Sequence, residues 1–295
     1  MENGKYLAPK ASLTIKKVFG TLKRLFIPLA ALSAGAVVSL LSDAGGRAVA
    51  AIGNACNTTV ATEGAEQPLP ADMGVLTEWQ AGEAVSAAAV SAFGGVDRCF
   101  AAEPIPDGVW QRMQGKTYKA NPYIGRDDLR HVRALHWDYD ERMHVGEMVC
   151  NKLIADRVMC ILRQLFDARY PIGLMVLPDV YDADDETQMR HNNTSCFCYR
   201  AISGRAKLSK HARGLAVDIN TLYNPYYKDL PDGTRYVQPA TAAAYCDRSR
   251  AFPYKITRND LCYRLFKEAG FVWGGDWMSC KDFQHFELAG RSPKR

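Results

Sequence analysis

Two short segments far apart in the chain constrain its fold more than any other feature. Ser209 to Asn220 reads S-K-H-A-R-G-L-A-V-D-I-N, and Asp282 to Glu287 reads D-F-Q-H-F-E. In the first, Leu215, Val217 and Ile219 fall on one face of a strand, and Ala216, Asp218 and Asn220 on the other. Asp218 therefore points away from the core face, with small Ala216 leaving room beside it. Gly214 permits a turn that folds the His211 imidazole back toward that carboxylate. In the second, His285 shares a strand face with Phe283 and Glu287 and brings a third donor. Two imidazoles and a carboxylate with a fourth position open for water form the donor set of a catalytic zinc ion. If His211, Asp218 and His285 hold one metal, the two segments must be neighbours in space. The competing reading is two locally satisfied histidines and an aspartate capping a turn.

Asp282 lies three residues before His285, so an unbroken strand would turn it the wrong way. It is expected in the turn entering that strand, within reach of the water as general base. Glu287 is expected to support His285 rather than to act as the base. The other histidines, His131, His136, His144 and His191, have no partners of matching type nearby and read as ordinary surface or core residues.

The net charge of +5 does not indicate a nucleic-acid partner. Residues 1–50 hold 7 of the 37 basic and 2 of the 32 acidic side chains, leaving 30 against 30 in the remainder. The basic start ends at Lys23-Arg24 and is followed by an apolar run from Leu25 to Leu41 and then Ala48-Val49-Ala50. That is the order of a secretory signal, with a membrane tether through residues 25–41 as the alternative. Export to the periplasm or cell envelope would permit disulfides, although the nine cysteines cannot all pair within one chain. Cys196-Phe-Cys198 is too tight for a cysteine zinc site, and no C-x-x-C occurs.

Residues 51–98, rich in Ala, Gly, Glu and Thr, read as a low-complexity linker, which places the folded domain at 99–295. The three-and-four spacing of apolar residues from Val145 to Tyr170 predicts a main helix ended by Pro171. I-G-L-M-V-L at 172–177 reads as a buried strand, followed by an acidic loop. A capping box at Thr257 to Asp260 and a stop at Gly270 predict a second helix with Leu261, Leu265, Phe266 and Ala269 inward.

The stretch from Ser209 to Tyr226, with W-G-G-D-W at 273–277 and D-F-Q-H-F-E at 282–287, resembles the zinc D-alanyl-D-alanine carboxypeptidase family. That family includes VanY- and VanX-type peptidases and the L-alanyl-D-glutamate endopeptidases of phages and bacilli. The likeness extends upstream through G-E-M-V at 146–149, Y-P-I at 170–172 and N-N-T-S-C-F-C-Y-R at 192–200. It implies an α+β fold in which a small antiparallel sheet with flanking helices holds the site, similar to the hedgehog signalling domain. It also implies Zn2+ on His211, Asp218 and His285, with Asp282 in place of the catalytic acidic residue and Arg200 stabilising the oxyanion. Ser209 then contacts substrate, or bonds its own backbone in a turn. Trp273, Asp276 and Trp277 wall the groove, or the aromatic residues belong to the core. The implied substrate is the peptide stem of peptidoglycan, cut by a D,D-carboxypeptidase or by an endopeptidase. A non-catalytic wall-binding module that keeps the metal is the alternative of a different class.

Overall fold

A long antiparallel hairpin underlies the site in the computed structural model, which describes residues 68–200 and 208–290. The expected leader and residues 51–67 lie outside the described residues. Strands β1 (Ala101–Glu103), β2 (Leu129–Trp137) and β3 (Met143–Asn151) form one sheet, with β2 and β3 in register from Leu129↔Asn151 to Trp137↔Met143. On one face Val132, Ala134, Met148 and Cys150 join the main core. On the other, Leu135, Met143 and Val145 enter a second apolar cluster, and Leu129 and Val149 a third.

Because β3 is covered on both faces, its sequence lacks the alternation of a half-exposed strand. That is why Val145 to Asn151 scanned as the start of the main helix. The helix, α1, begins only at Ala155 and runs to Asp167, after the turn at Lys152 and Leu153. Val158, Ile161, Leu162 and Leu165 seat it on the main core. Residues 172–177 are extended, as expected, but form no strand. Their backbone is satisfied piecemeal, by Glu147 N donating to Met175 O (2.9 Å), Thr194 N to Leu174 O (2.8 Å) and Val176 N to Asn193 Oδ1 (3.0 Å). The acidic stretch after it is not wholly loop, since Asp184 caps a short helix, α2 (Asp185–Arg190), by accepting from Thr187 N.

Two further three-stranded antiparallel sheets carry the second half. One has the order β4 (Ala216–Asp218), β9 (His285–Leu288), β7 (Phe271–Trp273); the other has β6 (Arg235–Gln238), β5 (Tyr226–Asp229), β8 (Lys281–Asp282). Helix α3 (Leu261–Glu268) leads into β7. Its cap is Asp260, whose carboxylate accepts from Cys262 N, and not Thr257. Leu261, Leu265, Phe266 and Ala269 all pack on the main core, as their spacing requires. The architecture is α+β, with three small antiparallel sheets where one was expected.

Residues 68–98 correct the linker reading. They contain helices at Met73–Thr77 and Ala87–Ala92, and Leu76, Val85, Ala89 and Val90 are buried in the second cluster against Leu135, Val145 and Phe166. Small residues mislead here because alanine needs no large partner to pack against a sheet. The eight cysteines among the described residues are free thiols. Among the described residues no helix is long and apolar enough to cross a membrane.

Two predictions follow from this packing. Leu76→Ala should lower the unfolding free energy by about 2–5 kcal/mol in urea titration of the full chain, whereas a residue in a mobile linker would leave it unchanged. Asp138 supplies the second. Burial raises its pKa, but the Arg142 backbone N–H and the hydrogen bonds from His144 and Arg142 outweigh this and hold it down at about 2, against 3.8 when unfolded. A depressed carboxyl stabilises the fold above its unfolded pKa, and that contribution fades as pH falls from about 4 toward 2. Asp138→Asn should therefore be less stable than the parent at pH 6, with the difference vanishing near pH 2.

Candidate metal centre

Three backbone devices bring the donors together. The first is the β4–β9 ladder, which sets Asp218 directly opposite His285, so their side chains share a face. Asp218 is also clamped from the other side, with Ser195 N donating to its carbonyl (3.0 Å) and its own N–H to Ser195 O (2.9 Å). The second is a tight turn at His211–Arg213 that ends on Gly214 with φ +63°. A Cβ at Gly214 would lie 2.7 Å from Asn151 N, so the turn needs glycine both for its left-handed backbone and for the close approach of β3. The third is the 193–199 segment, whose Cys196 carbonyl accepts from His211 Nδ1 at 2.6 Å.

That last bond fixes the tautomer. With Nδ1–H donated to a carbonyl, His211 Nε2 presents a lone pair toward His285 Nδ1 (3.1 Å) and Asp218 Oδ2 (3.2 Å). His285 is oriented from behind by Glu287, its Nε2–H donating to Oε2 at 3.3 Å, while Nδ1 stands 3.0 Å from Asp218 Oδ1. The ligand atoms of His211, Asp218 and His285 lie within 4.8 Å of one another, and no other such trio occurs among the described residues. All three residues are largely buried.

The electrostatics favour a cation at this point. Burial opposes charge on His285, but hydrogen bonds to Asp218 and Glu287 hold its pKa up at about 10. Burial likewise raises Asp218, yet its contacts with His211 and His285 leave it far below the usual carboxylate range. The carboxylates around the trio thus stabilise positive charge at the point where the three donors meet. Asp282 is half-buried beside the same groups. Burial and the negative Asp218 push its pKa up to about 6, against the opposing pull of His285 and His211. Its Oδ1 is buried with no hydrogen-bond partner, an acceptor left for a molecule in the site.

Asp282 does not sit in a turn, as expected, but at the end of β8, paired with β5. Phe283 and Gln284 then break the strand before β9, and this break lets Asp282 and His285 serve the same site three residues apart. The break also separates Phe283 from the His285 face; its ring packs in the main core against Tyr227 and Trp273. Gly274 makes room for Asp282, since a Cβ there would stand 2.6 Å from Asp282 O and 2.7 Å from its Cβ.

The remaining expected site residues divide. Arg200 is anchored through Nη2 to Asp185 at 2.8 Å, while its buried Nε has no hydrogen-bond partner and it senses the charges of Asp218 and Asp282. Ser209 turns its hydroxyl to its own turn, accepting from His211 N at 3.2 Å. Trp273 is a core residue and no groove wall: it is 4% exposed and donates Nε1–H to Phe283 O at 2.8 Å. Asp276 is taken by Arg258 at 2.8 Å. Trp277 does flank the site, its ring 5.3 Å from that of His285. The sequence reading missed the Cys196 carbonyl, because a backbone acceptor carries no residue signature. It also missed Asp185, hidden in an acidic run that read as solvated loop.

Since Glu287 orients His285 without entering the donor trio, Glu287→Gln should weaken zinc binding by about 10–100-fold in competition with a chelating dye. Secondary structure by circular dichroism should stay unchanged.

No curated protein and no solved structure matches this chain. Residues 203–288, the span that contains His211, Asp218, Asp282 and His285, match the family described as D-alanyl-D-alanine carboxypeptidase, which supports a peptidase.

Proposed function

We propose that the chain is a zinc-dependent peptidase that hydrolyses amide bonds in the peptide stem of peptidoglycan, as a D-alanyl-D-alanine carboxypeptidase. The observation that carries this reading is the pairing of a His-Asp-His donor trio with the Asp282 carboxylate, one of whose oxygens is buried without a partner. The donor set fits zinc: two imidazoles with defined tautomers, one carboxylate, and an aspartate beside them that is not needed as a ligand. When bound, zinc supplies Lewis acidity that polarises the scissile carbonyl and acidifies a water.

The chain's own residues do the rest. Asp282, with a pKa pushed up to about 6, accepts the proton of the attacking water and returns it to the leaving amine. Arg200, steadied by Asp185 and within electrostatic reach of Asp218 and Asp282, is the cation suited to the negative charge that develops on the carbonyl oxygen, with its unpartnered Nε–H as donor. Glu287 and the Cys196 carbonyl keep both imidazoles from rotating as charge moves. The basic and apolar leader supports export, which would bring the domain to peptidoglycan in the periplasm or cell envelope.

A digest of defined muropeptides by the zinc-loaded chain, followed by mass spectrometry, tests the reading. Release of free D-alanine is expected; cleavage between L-alanine and D-glutamate would reassign the chain as an endopeptidase, and no cleavage would leave a binding module. Asp282→Asn should cut turnover by on the order of 10²–10⁴-fold while zinc stays near one per chain. Retained activity in that variant would remove Asp282 as the base.

A further inference from the structure

The site has a second wall that neither the metal nor the proton transfer uses. In the β6–β5–β8 sheet, Tyr226 stands directly opposite Asp282 and Gln238, and Lys228 opposite Tyr236. Residues opposite one another in an antiparallel pair share a face, and so do residues two apart. Tyr226, Lys228, Tyr236 and Gln238 therefore project to the same side as the catalytic carboxylate. Tyr227, on the alternate face, packs into the main core against Phe283.

Tyr226 is half-buried, close enough to Asp282 to sense its charge, and its ring meets Tyr236 edge-on at 6.2 Å. Its phenol pairs with the Cys280 thiol, a weak hydrogen-bond partner that a carbonyl oxygen displaces at small cost. Tyr236 is 48% exposed, so the wall runs from the half-buried Asp282 outward to solvent. Trp277 lies beside the His285 ring. An extended peptide laid along this wall meets the Tyr236 ring and one phenolic donor beside the bond that Asp282 serves.

We propose that Tyr226 is a substrate-binding residue of this centre, its hydroxyl donating to a backbone carbonyl of an extended peptide while Tyr236 packs beside that peptide. The inference rests on the peptidase reading and adds to it the residue that positions the substrate.

Binding and turnover separate the two. A synthetic stem pentapeptide ending in D-alanyl-D-alanine is titrated by calorimetry into the zinc-loaded full chain carrying Asp282→Asn, which holds the peptide without cutting it. Adding Tyr226→Phe should weaken binding roughly tenfold, as expected for one lost hydrogen bond. In the otherwise wild-type chain it should raise KM by a similar factor while kcat changes less than about twofold. Tyr227→Phe, on the core-facing side, should leave both unchanged. Wild-type values for Tyr226→Phe overturn the proposal, as does an equal loss in Tyr227→Phe, which would mark a structural effect. Binding without turnover by the wild-type chain removes the hydrolytic reading and leaves the Tyr226 contact standing or falling on the calorimetry; absence of binding overturns both.

Discussion

The centre depends on a single cross-strand pair, Asp218 opposite His285. A buried carboxylate is costly unless it is compensated, and here compensation comes from two imidazoles and from a backbone clamped on both sides, by β9 and by Ser195. The ladder fixes the side-chain face, so neither residue can leave without shifting a whole strand. Beneath the pair lies the main core, where Leu215, Val217, Phe286 and Phe271 are essentially fully buried and hold both strands to the β2–β3 hairpin and the helices. Rigidity of the site is thus inherited from hydrophobic packing, and a metal meets donors already arranged.

Alternation in L-A-V-D-I-N was legible in the sequence because β4 is buried by its Leu215, Val217 and Ile219 face while Asp218 turns to the site. The same logic failed for β3, where apolar clusters lie on both sides and the period of two disappears. Helix α3 was legible through its inward residues, but its cap was set one turn early, since Thr257 and Asp260 are both good caps and local chemistry alone does not rank them. The alanine-rich 81–92 stretch was mistaken for linker because what it packs against comes from residues 135–166, which no local window includes.

At the site, the donors were legible because each is a side chain of distinctive chemistry at a spacing a strand can interpret. What orients them was less so. The Cys196 carbonyl holds His211 through a backbone atom, and Asp185 reaches Arg200 across the fold. Trp273 shows the converse, a residue whose proximity in sequence to the site implied a contact that its burial excludes.

The placement of Asp282 carries a mechanistic consequence. The candidate metal ligands His285 and Asp218 belong to one sheet and the proposed base, Asp282, to another, joined by Phe283 and Gln284. Phe283 is sunk in the core and Gln284 O accepts from Ile219 N at 3.0 Å, so the joint is fixed at both of its residues. A single continuous strand would have turned Asp282 away from His285, whereas two sheets meeting at a fixed joint let ligand and base approach one point from different directions. The second sheet carries Tyr226 on its central strand, directly beside Asp282, and Tyr236 on its edge strand β6. On the proposed reading, the residue that moves the proton therefore shares a sheet face with Tyr226 and Tyr236, and substitutions along β5 and β6 can change that face without disturbing the donors.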